Sequence, residues 1–151
     1  MTYTIVVRGE SVYAGLVFPK VRPSFKVSNS ELIEFLKDRV RERLDAGDSW
    51  ADSQRPMYTV YVRTPTGTYN ALVCFEYTDP GDAPVGDVLV RVPRGVYARF
   101  VPNGDYHDPV EDVWAQVDDA TASAEITRAY REEIEIWHGS ESVELFISIT
   151  A

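Results

Sequence analysis

Two six-residue stretches of the sequence resemble each other: Val12-Tyr13-Ala14-Gly15-Leu16-Val17 and Val96-Tyr97-Ala98-Arg99-Phe100-Val101, which begin 84 positions apart. Each stretch follows a β-rich run and a short turn that contains glycine, and each leads through a proline-containing loop to a helix signal. The same order of elements on both sides predicts an internal duplication, with repeat one at about residues 2–78 and repeat two at about residues 87–150. Two unrelated β-hairpins are the alternative interpretation.

Each predicted repeat contains one main helix. In repeat one, a capping box at Ser28-Asn29-Ser30-Glu31 precedes apolar residues at helical spacing, which predicts a helix that ends near Ala46-Gly47. In repeat two, Asp108 stands at the N-cap position and Pro109 at the first helical position. An apolar stripe that includes Trp114 follows, and it predicts a shorter helix to about Ala120.

Two β-like runs follow each helix, and turn residues separate them. They cover Tyr58 to Val62 and Tyr69 to Tyr77 in repeat one, and Glu133 to Trp137 and Val143 to Ile149 in repeat two. Each repeat is thus predicted to begin with one hairpin and to end with another. The predicted fold class is α+β: a single domain over residues 1–151, with two tandem strand-helix-strand-strand repeats related by a pseudo-twofold axis, antiparallel sheets and two main helices.

The balance of charge argues against several classes of partner. The chain has 151 residues, of which 44% are hydrophobic and 26% charged, as is typical of a soluble globular domain. Its 24 acidic residues outnumber its 15 basic residues and give a net charge of −9. Binding to phosphates requires the opposite charge, so we expect no direct nucleic-acid partner and no membrane partner.

The sequence also argues against metal, cofactor and disulfide chemistry. Cys74 is the only cysteine, so no disulfide can form within the chain, and the lack of a leader or membrane-spanning pattern predicts a cytoplasmic location. His107 and His138 are the only histidines, and no Cys/His cluster has the spacing of metal ligands. No glycine-rich phosphate loop and no nucleophile elbow occurs. We therefore expect no metal and no cofactor, and we assign no catalytic residue.

The last two strands combine carboxylates with aromatic rings. Alternate side chains of a strand share a face, so Glu133 and Glu135 lie on one face with Trp137. Likewise, Glu144 shares a face with Phe146 and Ser148, while branched aliphatic residues face the core. If these faces line a cavity, they attract an organic cation both by charge and by cation–π contact, worth about 0.5–2 kcal/mol per ring. The alternative is a solvated acidic face, which is typical of an outer strand.

Three segments carry a resemblance to a known family. Val92-Pro93-Arg94-Gly95-Val96-Tyr97-Ala98-Arg99-Phe100 resembles a Val-Pro-x-Gly-x-Tyr-Ala-x-Phe motif, and Gly104-Asp105-Tyr106 follows it. Trp114 stands where the second helix of this family commonly carries a tryptophan. Ile134-Glu135-Ile136-Trp137 and Val143 to Ile149 resemble its closing strands. The family is that of the GyrI-like small-molecule-binding domains, the effector-binding domains of AraC-type and multidrug-sensing bacterial transcription regulators. The N-terminal half matches mainly by its repeat architecture.

The resemblance implies a pocket between the two repeats, lined by aromatic side chains and containing a buried glutamate that meets lipophilic cations. Carried over by motif, the central acid is Glu135, the second acid is Glu144, and Phe146 replaces a tyrosine of the family. Ser148 replaces a proline, and no helix-turn-helix precedes the domain. The candidate ligand-binding residues are Glu135, Glu144, Trp114, Trp137, Phe146, Tyr13 and Tyr97.

The sequence favours a binding module over an enzyme. The leading hypothesis is a stand-alone domain that captures lipophilic, cationic aromatic compounds, as a sensor or sequestering protein linked to transcription regulation. One alternative is a GyrI-like hydrolase in which Glu and Tyr activate water. Another is a protein-interaction inhibitor of the kind that acts on DNA gyrase. A small molecule is the expected partner, and the sequence leaves a protein partner or a homodimer open.

Overall fold

The computed structural model describes residues 3–21, 38–39, 56–138 and 142–150. It contains eight strands and one main helix in these ranges: β1 (Tyr3–Arg8), β2 (Ser11–Val21), β3 (Met57–Arg63), β4 (Tyr69–Tyr77), β5 (Val88–Val92), β6 (Gly95–Phe100), α1 (Pro109–Ala122), β7 (Arg128–Trp137) and β8 (Val143–Ile149). A short 3-10 turn covers Pro80–Asp82. The helix predicted for repeat one lies outside the described residues, apart from Asp38 and Arg39, which are helical.

The eight strands form one antiparallel sheet in the order β1-β6-β8-β7-β3-β4-β2-β5. The predicted hairpins of β3 with β4 and of β7 with β8 are confirmed. The predicted pairings of β1 with β2 and of β5 with β6 are wrong, because β1 pairs with β6 and β5 pairs with β2.

Turn chemistry explains this error. A two-residue hairpin loop takes a type I′ or II′ turn, which needs at least one residue at positive φ. Neither Gly9-Glu10 nor Pro93-Arg94, the two linkers in question, has a residue at positive φ. The ring of Pro93 fixes its φ at a negative value in any case. The strands on either side of each linker therefore do not pair with each other. Each of them pairs with a strand of the other predicted repeat.

The two exchanged pairings have the same register. Val6 on β1 lies opposite Tyr97 on β6, and Val90 on β5 lies opposite Tyr13 on β2, which is the same pair shifted by the 84-residue offset of the sequence match. The strand order has the same symmetry. If β1, β2, β3 and β4 are exchanged with β5, β6, β7 and β8, respectively, the order read from one edge of the sheet becomes the order read from the other edge. Superposition of the two halves through a pseudo-twofold axis stays a prediction, because the segment predicted to form the helix of repeat one lies mostly outside the described residues.

Apolar clusters cover both faces of the sheet. On the face that packs against α1, here called the helix face, one apolar cluster contains Val113 and Trp114 of the helix together with strand residues such as Phe100 and Leu145. On the opposite face, a second cluster contains Tyr13, Tyr58 and Tyr97, together with Phe146, Cys74 and several aliphatic residues. We call it the tyrosine face. Residues that alternate along a central strand therefore enter two different clusters.

The start of α1 is fixed by its own carboxylates. Asp108 Oδ1 accepts from the backbone N–H of Val110 at 2.9 Å, which confirms the predicted N-cap. Asp112 is buried and accepts from the backbone N–H groups of Asn103 at 3.1 Å and Gly104 at 2.9 Å. Burial opposes ionisation of Asp112, but these hydrogen bonds prevail and lower its pKa below the ordinary value. The loop before α1 is thereby tied to the helix that carries Trp114.

Candidate functional site

Glu135 lies in the middle of β7 on the helix face and is 2% exposed. Its Oε1 accepts from the indole N–H of Trp137 at 2.6 Å. Its Oε2 accepts from the indole N–H of Trp114 at 3.3 Å and from the hydroxyl of Tyr61 at 3.4 Å. A carboxylate is thus enclosed by three aromatic side chains, and we call these four residues the Glu135 cage.

Three elements supply the cage. Trp137 stands two positions after Glu135 on β7, so strand alternation places both on one face. Tyr61 comes from β3, which pairs with β7, and Trp114 comes from α1 above the sheet. The rings of Tyr61 and Trp114 meet edge to face, with centroids 5.7 Å apart. Because β3 and β7 belong to different predicted repeats, the cage lies where the two repeats meet.

The three hydrogen bonds of the cage are unequal. A typical N–H···O bond measures about 2.9–3.0 Å, and bonds to an ionised group are shorter and contribute about 1.5–3 kcal/mol each. The contact from Trp137 fits a strong bond of this kind, whereas those from Trp114 and Tyr61 are long. Oε2 is therefore the oxygen whose aromatic donors are more easily displaced.

Tyr61 remains a hydrogen-bond donor. Burial, followed by the charges of Glu135 and Glu133, raises its pKa well above the ordinary value. The hydroxyl therefore keeps its proton at neutral pH and serves as a polar contact inside the cage.

A second buried carboxylate, Glu133, stands two positions before Glu135 on the same face. Its Oε1 accepts from the guanidinium of Arg128, with which it forms an ion pair, and from the hydroxyl of Tyr69 at 3.2 Å. Burial raises the pKa of Glu133 even though Arg128 opposes the shift. Its Oε2 is buried and has no hydrogen-bond partner within the described part of the chain.

Thr59 lies directly opposite Glu135 in the pairing of β3 with β7. Directly opposite residues of an antiparallel pair share a face, with Cβ atoms about 5 Å apart. Thr59 is fully buried, and its hydroxyl has no partner among the described residues. An unsatisfied buried polar group costs about 1–3 kcal/mol, and such groups are rare in folded proteins. Thr59 and Glu133 therefore place two unsatisfied oxygens beside the cage.

A bulge in β7 brings Arg128 to Glu133. Arg128 lies opposite Ile149 and Glu133 opposite Ile147, so residues 129–132 occupy a register shift. Within it Tyr130 has a φ of 54°, and its ring lies 4.7 Å from the guanidinium of Arg128 and 5.3 Å from that of Arg63. The sequence pattern predicted this strand only from Glu133 onward, so it indicated neither the bulge nor the ion pair.

The structure does not bring all seven predicted site residues together. Glu135, Trp137 and Trp114 meet in the cage on the helix face. Phe146, Tyr13 and Tyr97 belong to the cluster on the tyrosine face. Glu135 lies opposite Leu145, so Glu144 and Phe146 point to the other side of the sheet. Alternation fixes the faces within each strand, but the register of the hairpin decides which faces of β7 and β8 coincide.

The four other predicted residues are engaged on the tyrosine face. The guanidinium of Arg8 lies 4.5 Å above the ring of Phe146 and donates to the hydroxyl of Tyr13 at 3.3 Å. The rings of Tyr97 and Phe146 meet edge to face at 6.5 Å. Glu144 accepts from Arg99 Nε at 2.7 Å and pairs with His138 at 2.9 Å. Burial opposes ionisation of Glu144, but these contacts prevail and lower its pKa.

Three residues beside Glu135 were not among the predicted ligand-binding residues: Tyr61, Thr59 and Glu133. All three occupy positions of the helix face on β3 or β7. Alternation along β7 predicted that Glu133 shares a face with Glu135. The proximity of Tyr61 and Thr59 to Glu135 depends instead on the pairing of β3 with β7, two strands that are distant in the chain.

The described residues include no cluster of three or more His, Cys, Asp or Glu side chains that could hold a metal ion. The helices in the same part of the chain are too short or too polar to cross a membrane.

Comparison with solved structures identifies the fold. An integron cassette protein from Vibrio cholerae has a TM-score of 0.73 at 20% identity, over 99% of this chain and 96% of that one. The protein SAV2435, solved bound to tetraphenylphosphonium, has a TM-score of 0.72 at 12% identity, over 100% and 95% of the two chains. The EcmrR C-terminal domain has a TM-score of 0.57 at 12% identity, over 99% of both chains. These structures share the GyrI-like effector-binding fold.

Comparison with curated proteins gives no match. The family model for Cass2, described as an integron-associated effector binding protein, matches residues 28–149 of this sequence. This span includes β3, α1 and β7 and therefore every residue of the Glu135 cage. The chain belongs to the Cass2 family of integron-associated effector-binding proteins.

Proposed function

We propose that the Glu135 cage binds the effector of this protein, and that the effector is a lipophilic organic cation with aromatic groups. The observation that carries the proposal is the placement of a buried carboxylate within hydrogen-bond distance of three aromatic side chains. A cation offers Glu135 an opposite charge and offers the indole and phenol rings a cation–π partner. Tetraphenylphosphonium, the molecule bound to SAV2435, has this chemistry.

Three aromatic donors contact the carboxylate of Glu135 in the structure. We infer that binding displaces the two long contacts to Oε2, from Trp114 and Tyr61, and keeps the short one from Trp137. Trp137 then holds the carboxylate in position, while the freed rings pack against the ligand. The energy that is lost with two weak hydrogen bonds is offset by charge pairing in a site with little water.

The charge of the whole protein supports the same class of ligand. A net charge of −9 raises the local concentration of cations around the molecule and favours their approach over that of anions. The position of the cage at the junction of the predicted repeats agrees with the pocket that the family resemblance implies. As a sensor or a sequestering protein, the domain needs only to bind and release such a compound.

Titration calorimetry with tetraphenylphosphonium tests this proposal. Glu135→Gln keeps the shape of the side chain but removes its charge, so we expect the Kd to rise about 30-fold, equivalent to about 2 kcal/mol. Neutral triphenylphosphine oxide should lose much less affinity with the same variant. The matched control is Glu144→Gln, which removes a carboxylate on the tyrosine face and should leave both affinities unchanged. Equal losses for both ligands, or the same loss in both variants, would remove Glu135 from this role.

A further inference from the structure

We propose that Thr59 and Glu133 make the cage selective for cations that carry N–H groups, such as protonated amines, over cations without a donor. This inference rests on the proposed function and specifies the class of ligand. It begins from the two unsatisfied oxygens beside Glu135, the hydroxyl of Thr59 and Oε2 of Glu133, which lack partners among the described residues. Both side chains are 0% exposed, so bulk water does not satisfy them.

The two oxygens and Glu135 lie on one patch of the helix face. Thr59 faces Glu135 directly across the β3–β7 pair, and Glu133 stands one step along β7 on the same side. The patch therefore holds the satisfied carboxylate of Glu135 beside two oxygens that the described part of the chain leaves without partners. From Glu135, Thr59 lies one cross-strand spacing away, about 5 Å between Cβ atoms, and Glu133 lies two residues along the strand, about 7 Å away.

The chemistry of both groups requires a donor from the ligand. An ionised carboxylate oxygen only accepts hydrogen bonds, and a hydroxyl can accept as well as donate. An ammonium or amidinium group brings N–H donors together with its charge and can satisfy Thr59 or Glu133 while it pairs with Glu135. A phosphonium or quaternary ammonium ion brings charge alone and leaves the oxygens unsatisfied. The site should therefore distinguish cations of equal charge and similar size by their hydrogen-bond donors.

A matched pair of ligands tests this selectivity. Protonated N,N-dimethylbenzylamine has one N–H group, and benzyltrimethylammonium has a methyl group in its place. We expect the intact protein to bind the first about tenfold more tightly than the second in titration calorimetry near neutral pH. Thr59→Val removes the hydroxyl at nearly constant shape and should reduce this ratio towards one through a loss for the N–H cation only. Thr59→Ser keeps a hydroxyl and should retain the preference.

A measurement without ligand checks the premise separately. If the hydroxyl of Thr59 is unsatisfied, Thr59→Val should raise the melting temperature of the free protein by a few degrees, as expected for a domain of this size. A lower melting temperature would show that the hydroxyl has a partner, such as a bound water, and would overturn the inference. Equal affinities of the two cations for the intact protein, or equal losses in Thr59→Val, would also overturn it. Absence of binding by both cations and by tetraphenylphosphonium would instead refute the proposed function, and this inference with it.

Discussion

At the scale of single residues, the site depends on how each buried charge is compensated. Glu135 accepts hydrogen bonds from three aromatic donors. Glu133 instead forms an ion pair with Arg128, whose side chain is 9% exposed. A buried ion pair contributes little net stability, but removal of one partner leaves an uncompensated charge and costs about 3–5 kcal/mol. Glu133 therefore depends on Arg128 as its charged partner.

Substitution of Arg128 tests this dependence. We expect Arg128→Met to lower the free energy of unfolding by about 3 kcal/mol at neutral pH, because Glu133 must then either stay charged without its partner or take up a proton. The native pKa of Glu133 is already raised, and loss of Arg128 raises it further. Stability is therefore lost as the pH rises from the ordinary carboxyl range towards that native pKa, and the deficit should shrink near pH 4, where the unfolded chain also binds the proton.

The control for this experiment is Arg63→Met, because the guanidinium of Arg63 also lies near the ring of Tyr130. Arg63 is exposed, and no ion pair with it is seen among the described residues, so its loss should change stability by about 0.5 kcal/mol at most. Urea unfolding at two pH values measures both variants. A pH-independent deficit for Arg128→Met would contradict this explanation of Glu133.

At the scale of elements, the approach of β2 to β4 requires Gly15. A Cβ atom at Gly15 would lie 1.9 Å from the carbonyl oxygen of Val73 and 2.7 Å from the Cα of Cys74, and both of these are backbone atoms. Glycine within a strand often marks such a close approach. Gly15 belongs to the sequence stretch that matches the second repeat, at the position where the second repeat has Arg99.

Gly15→Ala should therefore disrupt the pairing of β2 with β4 and cost more than about 3 kcal/mol, in the range of severe core substitutions. Gly9→Ala is the control, because a Cβ at Gly9 has no neighbour within 4 Å among the described residues and its φ is not positive. Circular dichroism melting curves of the two variants measure the difference. Similar melting temperatures for both would show that the sheet relaxes to accept a side chain at Gly15.

The elements that were predicted correctly from the sequence are those with local signals. The Asp108 cap located the start of α1, and short turns located the hairpins β3–β4 and β7–β8. The pairing of β1 with β6 could not be predicted in this way, since the information lies in strands far apart in the chain. The same limit applies to the cage: Trp137 follows from its spacing to Glu135, but Tyr61 and Thr59 become neighbours of Glu135 only through the pairing of β3 with β7.

At the scale of the whole molecule, the sheet presents two aromatic clusters that differ in their own charges. On the helix face, the cage places a carboxylate among aromatic rings. On the tyrosine face, the guanidinium of Arg8 already lies over the ring of Phe146 and contacts Tyr13. A cationic ligand would have to compete with Arg8 on the tyrosine face, whereas the cage offers it an opposite charge. We therefore expect the effector on the helix face.

A crystal structure of the protein with tetraphenylphosphonium measures this placement most directly. We expect the phosphorus within about 6 Å of the Trp114 or Trp137 ring, the usual range of a cation–π contact, and close to the Glu135 carboxylate. The contacts from Trp114 and Tyr61 to Oε2 should be broken, and that from Trp137 to Oε1 should be retained. A cation bound on the tyrosine face in place of the Arg8 guanidinium, or an unchanged set of three hydrogen bonds around Glu135, would contradict the proposal.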